Sequence, residues 1–175
     1  KTAYEMLRSL VVSEMCIRDR LETVHYVIEF CYEKGIKIVL NPAPAAAVPM
    51  EIIDKVTYVT PNEHEAVLIF GDKLSTEDLL RKYPEKLVIT QGSRGVSTCL
   101  KDGRILNIPA RKAQVVDTTG AGDTLNGAFS VQIAEGKAIE DALTYANVAA
   151  SLSTEKFGAQ TGMPTAEEVE TELKK

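Results

Sequence analysis

Apolar positions switch along the chain between helical and strand spacing, and the switching predicts an α/β protein. Leu21, Val24, Ile28 and Cys31 recur at helical spacing and Gly35 follows as a stop, which predicts a helix. Residues 36–40 form an apolar run broken only by Lys37, the pattern of a parallel strand buried on both faces. A short helix over residues 50–54 and a second strand over residues 56–60 repeat the unit. Asn62 then has an N-cap side chain for a helix reaching Phe70, just before Gly71. Ser75 and Asp78 predict a capping-box start for a helix through Tyr83, and residues 87–90 read as another buried strand.

Beyond that strand, Gln91-Gly92-Ser93-Arg94-Gly95 is a tight glycine loop. Residues 95–100 and 104–108, joined by Lys101-Asp102-Gly103, have the turn chemistry of a β-hairpin. A short apolar run ends at Val116 and reads as the end of a strand, with Asp117 just after it. Leu125, Ala128, Phe129 and Ile133 mark a helix face that begins near Asp123 and ends before Gly136. Ile139, Ala142, Leu143, Ala146, Ala149 and Ala150 describe a long helix with a narrow apolar face, suited to close packing. Gly158 ends that region, and Thr165 with Glu168 caps a final helix. The predicted architecture is a three-layer, doubly wound, mostly parallel sheet with helices on both faces and one antiparallel hairpin. Residues 1–20 break this regularity, because the stretch from Ser13 to Arg20 has neither a period nor turn chemistry. They are expected to be non-native or scrambled, with residues 21–175 as the folded portion.

Composition narrows the chemistry. With 175 residues, 45% hydrophobic and 26% charged, the chain is long enough for one folded domain with a sizeable core. A net charge of -5 argues against a nucleic-acid partner, and no run of about eighteen apolar residues suggests a membrane span. Cys16, Cys31 and Cys99 are odd in number and widely spaced, so neither a disulfide framework nor a zinc site is indicated. His25 and His64 are too few and too far apart for a metal cluster. With no secretory signal apparent, a cytoplasmic location is expected.

The chemistry concentrates at Asp117-Thr118-Thr119-Gly120-Ala121-Gly122-Asp123. A glycine-rich loop feeding a helix start presents unpaired N–H groups and the positive end of the helix dipole, a site for a phosphoryl group. Asp123 would repel a phosphate held there, so a carboxylate at that point suggests a catalytic base.

Five motifs, in order, carry a resemblance: Asn41-Pro42-Ala43-Pro44, Thr60-Pro61-Asn62-Glu63-His64-Glu65, Gly92-Ser93-Arg94-Gly95, the stretch from Asp117 to Phe129, and Gly158-Ala159-Gln160. From about Leu21 onward the chain resembles the C-terminal portion of the ribokinase-like carbohydrate kinase family. The resemblance implies the ribokinase-like fold and phosphorylation of a sugar's primary hydroxyl by ATP, with D-ribose as the expected acceptor and ribose 5-phosphate as the product. It makes Asp123 the general base and the amides of Gly120, Ala121 and Gly122 the anion hole. It implies nucleotide contacts at Asn62, Glu65, Thr90, Gly92, Ser93, Arg94, Gly95 and Asn147, with Asn62 and Glu65 organising Mg²⁺ through water. A monovalent cation, usually K⁺, is implied at Asp117, Thr119, Ser153, Lys156, Gly158 and Gly162, mostly through backbone oxygens. A homodimeric parent enzyme is also implied.

The family's N-terminal sugar-binding segment and lid have no counterpart before Leu21, so the chain is expected to be an incomplete fragment, aggregation-prone and poor at transfer by itself. Another sugar or nucleoside kinase of the family is an alternative, because the anion loop does not read the sugar. A non-catalytic nucleotide-binding fragment is a second. A dinucleotide-dependent dehydrogenase would want its glycine fingerprint early, after a first strand, and here the glycines come late.

Overall fold

The computed structural model describes residues 21–43 and 48–175. The expectation for residues 1–20, and the Pro44-Ala45 end of the proline loop, lie outside the described residues. The described chain divides into two compact units, one of residues up to Thr90 with Ser97–Ile105, the other of Gln91–Val96 with Leu106–Lys175.

In the first unit, α1 (Leu21–Glu33) turns Val24, Ile28 and Cys31 into the core. It stops as its glycine predicts: the Gly35 N–H donates to the Tyr32 carbonyl at 3.0 Å and the Ile36 N–H to that of Cys31 at 2.9 Å, a Schellman closure. The first strand is shorter than its apolar run. Only Val39–Leu40 (β1) forms a ladder, parallel to Tyr58–Val59 (β2), with α2 (Met50–Lys55) between them. Ile36 and Lys37 follow the helix closure and have no strand opposite, and the Ile38 N–H is taken by the Thr57 hydroxyl instead. Helix α3 (Glu63–Phe70) and helix α4 (Thr76–Lys82) follow. The Ser75 start is only half a capping box. Its hydroxyl accepts the Asp78 N–H, but the Asp78 carboxylate, a methylene shorter than Glu, takes the Ser75 hydroxyl proton.

Strand β3 (Val88–Thr90) extends the parallel arrangement through single bridges from Leu87 to Val59 and from Thr90 to Asn62. It lies beside β4 (Val96–Cys99), which lies beside β5 (Ile105–Ile108). Five residues join β4 to β5, so the two run antiparallel, as the Asp-Gly turn predicts. The Asp102 carboxylate accepts the Arg104 N–H at 3.0 Å inside that turn. Ile28, Ile53, Leu80, Leu87 and Ile89 anchor the apolar core of this unit, each at most 1% exposed.

The second unit is built on α5 (Ala121–Ala134), α6 (Ile139–Ser153) and α7 (Ala166–Leu173). Leu125, Phe129 and Ile133 of α5 are buried, and so are Ala142, Leu143, Ala146 and Ala149 of α6. Small residues on α6 let its backbone approach α5 closely, and removing Phe129 from water contributes about 2–3 kcal/mol. Thr165 and Glu168 form the reciprocal capping box expected at α7. The strand expected to end at Val116 does not form. Val115 and Val116 are each 62% exposed, and the Val116 and Asp117 N–H groups donate to the Thr154 carbonyl at 2.8 and 3.1 Å rather than to a strand. An apolar run makes a strand only when a ladder partner lies beside it. The α/β class, parallel strands and antiparallel hairpin are otherwise as expected.

Candidate functional site

In the second unit, Gly120 begins α5 in a left-handed conformation, φ 79° and ψ 5°, that few residues but glycine adopt. A Cβ there would also lie 3.0 Å from the Ala159 Cβ, so the turn is pressed against the Gly158-Ala159-Gln160 segment. Side chains brace the turn from the helix side. The Thr124 hydroxyl donates to the Gly120 carbonyl and the Asn126 amide to the Gly122 carbonyl, each at 2.9 Å. Of the first-turn amides, Ala121 N–H reaches the Thr118 carbonyl at 3.2 Å, while Gly122 N–H has no backbone acceptor among the described residues. Asp123 stands in that same turn with its carboxylate exposed and no ion pair to any described residue. The turn thus sets an exposed carboxylate beside the N–H groups and positive dipole end of a helix start.

Asp117 fixes the approach to the turn. One carboxylate oxygen accepts the Thr119 N–H at 2.9 Å and the other accepts the Gly158 N–H at 3.0 Å. Hydrogen bonds from Thr119, and then from Gly158, hold the Asp117 carboxyl below its ordinary value.

Beside it, carbonyl oxygens converge on Gly162. A Cβ there would lie 2.7 Å from the Gly158 oxygen, 2.8 Å from that of Ser153 and 3.5 Å from that of Lys156. These main-chain oxygens, one of which accepts the Gly162 N–H at 2.8 Å, belong to residues the family resemblance names. The Ser153 hydroxyl and the Lys156 ammonium point elsewhere, to the Ala150 carbonyl and to Glu168.

The loop Gly92–Arg94 is a 3₁₀ turn, with Ser93 and Arg94 exposed, closed by Gly95 at φ 95°. Gly95 packs against the exit of β5: a Cβ would lie only 1.9 Å from the Ile108 oxygen and 2.7 Å from the Ala110 nitrogen. Asn147 supports the same place. It is 4% exposed, and its amide donates to the Pro109 carbonyl at 2.7 Å and to the Ile108 carbonyl at 3.3 Å. The Asn147 side chain, expected to contact a nucleotide, is therefore engaged in holding the backbone that Gly95 packs against. Residues 91–95, 108–110 and Asn147 thus form one cluster, and Asp117, Gly120, Asp123, Gly158 and Gly162 form another.

In the first unit, Asn62 and Glu65 are brought together as a reciprocal capping box. Asn62 Oδ1 accepts the Glu65 N–H at 2.9 Å, and Glu65 Oε2 accepts the Asn62 N–H at 2.8 Å. The Asn-x-x-Glu spacing is itself the signal for such a box. One Glu65 oxygen remains for other partners, which suits contact with Mg²⁺ through water and not a carboxylate cage. Among the described residues no cluster of three His, Cys, Asp or Glu side chains is placed to hold a metal. Thr90 sits at the end of β3, where its N–H donates to the Pro61 carbonyl at 2.9 Å and its strand bridges to Asn62.

Arg111 belongs to none of the sequence motifs. Its guanidinium donates to Glu155 and to Glu172, both at 2.8 Å, and its partners lie 44 and 61 residues away, beyond any local pattern.

Comparison with known proteins agrees with the geometry. Residues 4–166 match the family described as pfkB family carbohydrate kinase. Ribokinase from Bacillus subtilis is 53% identical over 149 residues, covering 85% of this chain and 50% of that protein. Ribokinase from Lactococcus lactis is 50% identical over 154 residues, covering 87% of this chain and 50% of that protein. A crystal structure of ribokinase from Thermotoga maritima superposes with a TM-score of 0.75 at 35% identity, over 85% of this chain and 52% of that one. Arabidopsis thaliana ribokinase, solved with ribose and ATP, gives a TM-score of 0.77 at 30% identity, over 85% and 51%. The chain spans about half the length of the curated relatives it matches. No helix among the described residues is long and apolar enough to cross a membrane. By motif, fold and identity, the chain belongs to the pfkB family of carbohydrate kinases.

Proposed function

We propose that the chain carries the nucleotide-binding and phosphoryl-transfer part of an ATP-dependent sugar kinase that converts D-ribose to ribose 5-phosphate. The observation that carries this reading is the start of α5: an exposed Asp123 carboxylate in the same turn as the open Gly122 amide. Asp123 takes the proton from the sugar's primary hydroxyl as the hydroxyl oxygen attacks the γ-phosphorus. The bond from that phosphorus to the bridging oxygen breaks, and ADP leaves. The amides of Gly120 and Gly122, with the dipole of α5, stabilise charge on the phosphoryl oxygens in transit; Ala121 joins them by releasing the Thr118 carbonyl. Asn62 and Glu65 would hold Mg²⁺ through water, and the bound ion would supply neutralisation of phosphate charge. A monovalent cation such as K⁺ would be held by the carbonyls of Ser153, Lys156 and Gly158 near Asp117 and Thr119, and would steady the turn.

Asn62, Glu65 and Thr90 in one unit, and Gly92, Ser93, Arg94 and Gly95 in the other, are the proposed nucleotide contacts. Asn147 acts there by holding residues 108–109. D-ribose is favoured as acceptor because relatives at 53% and 50% identity are ribokinases. A cytoplasmic, homodimeric parent enzyme that binds no nucleic acid completes the proposal.

Phosphorus NMR of ATP turnover with ribose, fructose and adenosine by the full-length parent protein tests it. Ribose 5-phosphate is expected as the preferred product, dependent on K⁺. Preferential phosphorylation of fructose or adenosine would overturn the ribose assignment.

A further inference from the structure

Residues 109–120 carry no helix or strand, yet they deliver Asp117 and the Gly120 turn to their places. What orders them lies on α6 and α7. The Arg111 Nη1 donates to Glu155 and its Nε to Glu172, each at 2.8 Å, with the three side chains only 18–29% exposed. Glu155 also accepts the Gln114 N–H at 3.2 Å. One residue earlier, the Thr154 carbonyl accepts the N–H groups of Val116 and Asp117. Residues 111–117 are thereby strapped along the end of α6, and Arg111 ties the strap to the last turn of α7.

We propose that Arg111 is a positioning residue for the phosphoryl-transfer turn: by bridging Glu155 and Glu172 it holds residues 111–117 so that Asp117 can bind the Thr119 and Gly158 amides. The inference rests on the kinase reading for its consequence, but the ordering itself does not. Arginine suits the task because its separate N–H faces reach two carboxylates at once, which a lysine ammonium on its flexible stem does poorly. Hydrogen bonds donated by the Arg111 guanidinium to the two carboxylates, Glu172 first, raise its pKa above the ordinary value.

The test compares the full chain with Arg111→Met, which keeps much of the apolar stem, and with Arg111→Lys. Amide hydrogen exchange is read at Val116, Asp117, Thr119 and Gly158, with Val59 and Thr60 of the first unit as internal reference. Exchange at the four amides is expected to accelerate at least tenfold in Arg111→Met and to be partly restored in Arg111→Lys, with the reference amides unchanged. Unaltered exchange, an equal rise at Val59 and Thr60, or a Lys variant no better than Met would overturn the proposal. In ATP-dependent ribose phosphorylation, Arg111→Met is expected to lower kcat and leave KM for ATP unchanged; the opposite split would contradict a positioning role. If the full-length parent protein transfers no phosphate to any sugar, the kinase reading falls, and exchange alone decides whether Arg111 orders the turn.

Discussion

Replacing Gly95 by alanine tests the close approach at the loop after β3. The new Cβ would lie 1.9 Å from the Ile108 oxygen, 2.7 Å from the Ala110 nitrogen and 2.8 Å from the Pro109 carbonyl carbon. All three are main-chain atoms, so no side-chain rotation relieves the overlap. Relief requires residues 108–110 to move away from the loop, which strains the Asn147 bonds to Pro109 and Ile108 at 2.7 and 3.3 Å. It also strains the bond of 2.8 Å from the Gln91 N–H to the Gly95 carbonyl. The φ of 95° adds the cost of a left-handed alanine. Together the backbone strain, overpacking and weakened buried hydrogen bonds come to roughly 3–8 kcal/mol. A domain is typically stable by about 5–15 kcal/mol, so such a loss leaves this one marginal or unfolded.

Gly92→Ala is the matched control. Its φ is 57°, but nothing lies within 4 Å of the added Cβ, so only the conformational cost of about 1–2 kcal/mol applies. Urea denaturation followed by circular dichroism should show a midpoint far lower for Gly95→Ala than for Gly92→Ala, or no folded baseline at all. Unfolding free energies within about 1 kcal/mol of each other would refute the close approach and the role given to Asn147.

Other perturbations separate structural from chemical roles. Asn62→Ala and Thr165→Ala each remove an N-cap and should each lower stability by about 1 kcal/mol in the same denaturation assay. Only the Asn62 variant should also weaken ADP binding by calorimetry. Gly162→Ala pushes on the carbonyls of Gly158 and Ser153, so stimulation of phosphoryl transfer by K⁺ should be lost. Asp117, Glu155, Glu168 and Glu172 are all held below their ordinary values by hydrogen bonds, chiefly from Thr119, Arg111, Lys156 and Lys175 respectively. Groups depressed in this sense stabilise the fold above their unfolded values, 3.8 for the Asp and 4.5 for the Glu residues, and the contribution is lost as pH falls through the lower folded values. Acid titration by NMR should therefore release the Thr119 and Gly158 amides below about pH 4. A release centred at or above pH 3.8 would contradict those hydrogen bonds.

Local signals are the readable ones. Val24, Ile28 and Cys31 at helical spacing, with Gly35 after them, are enough to set α1 and its closure. Thr165 with Glu168, and the Asp-Gly turn of the hairpin, are equally local. The Asn62–Glu65 box has the spacing of a capping box, although the sequence reading takes up only its Asn62 half as a cap. Strand extents are not readable, because a ladder depends on what lies alongside: residues 36–40 shrink to two paired residues, and residues 114–116 have exposed valines and a helix-end carbonyl as acceptor. The candidate site divides along the same line. The Gly120–Asp123 turn follows from contiguous residues. The engagement of Asn147 with residues 108–109, the carbonyl cluster at Gly162 and the Arg111 bridge depend on partners brought together only by folding.

The most direct measurement is the rate of ribose 5-phosphate formation from ATP and ribose, with Mg²⁺ and K⁺ present, for the full-length parent protein and for the same protein carrying Asp123→Asn. Asp123 is exposed and has no ion pair among the described residues, so the substitution is expected to leave the fold intact and remove only the base. The predicted result is a rate lower by about 10²–10⁴ with unchanged affinity for ADP. Equal rates for the two proteins would contradict the assignment of Asp123 as the base.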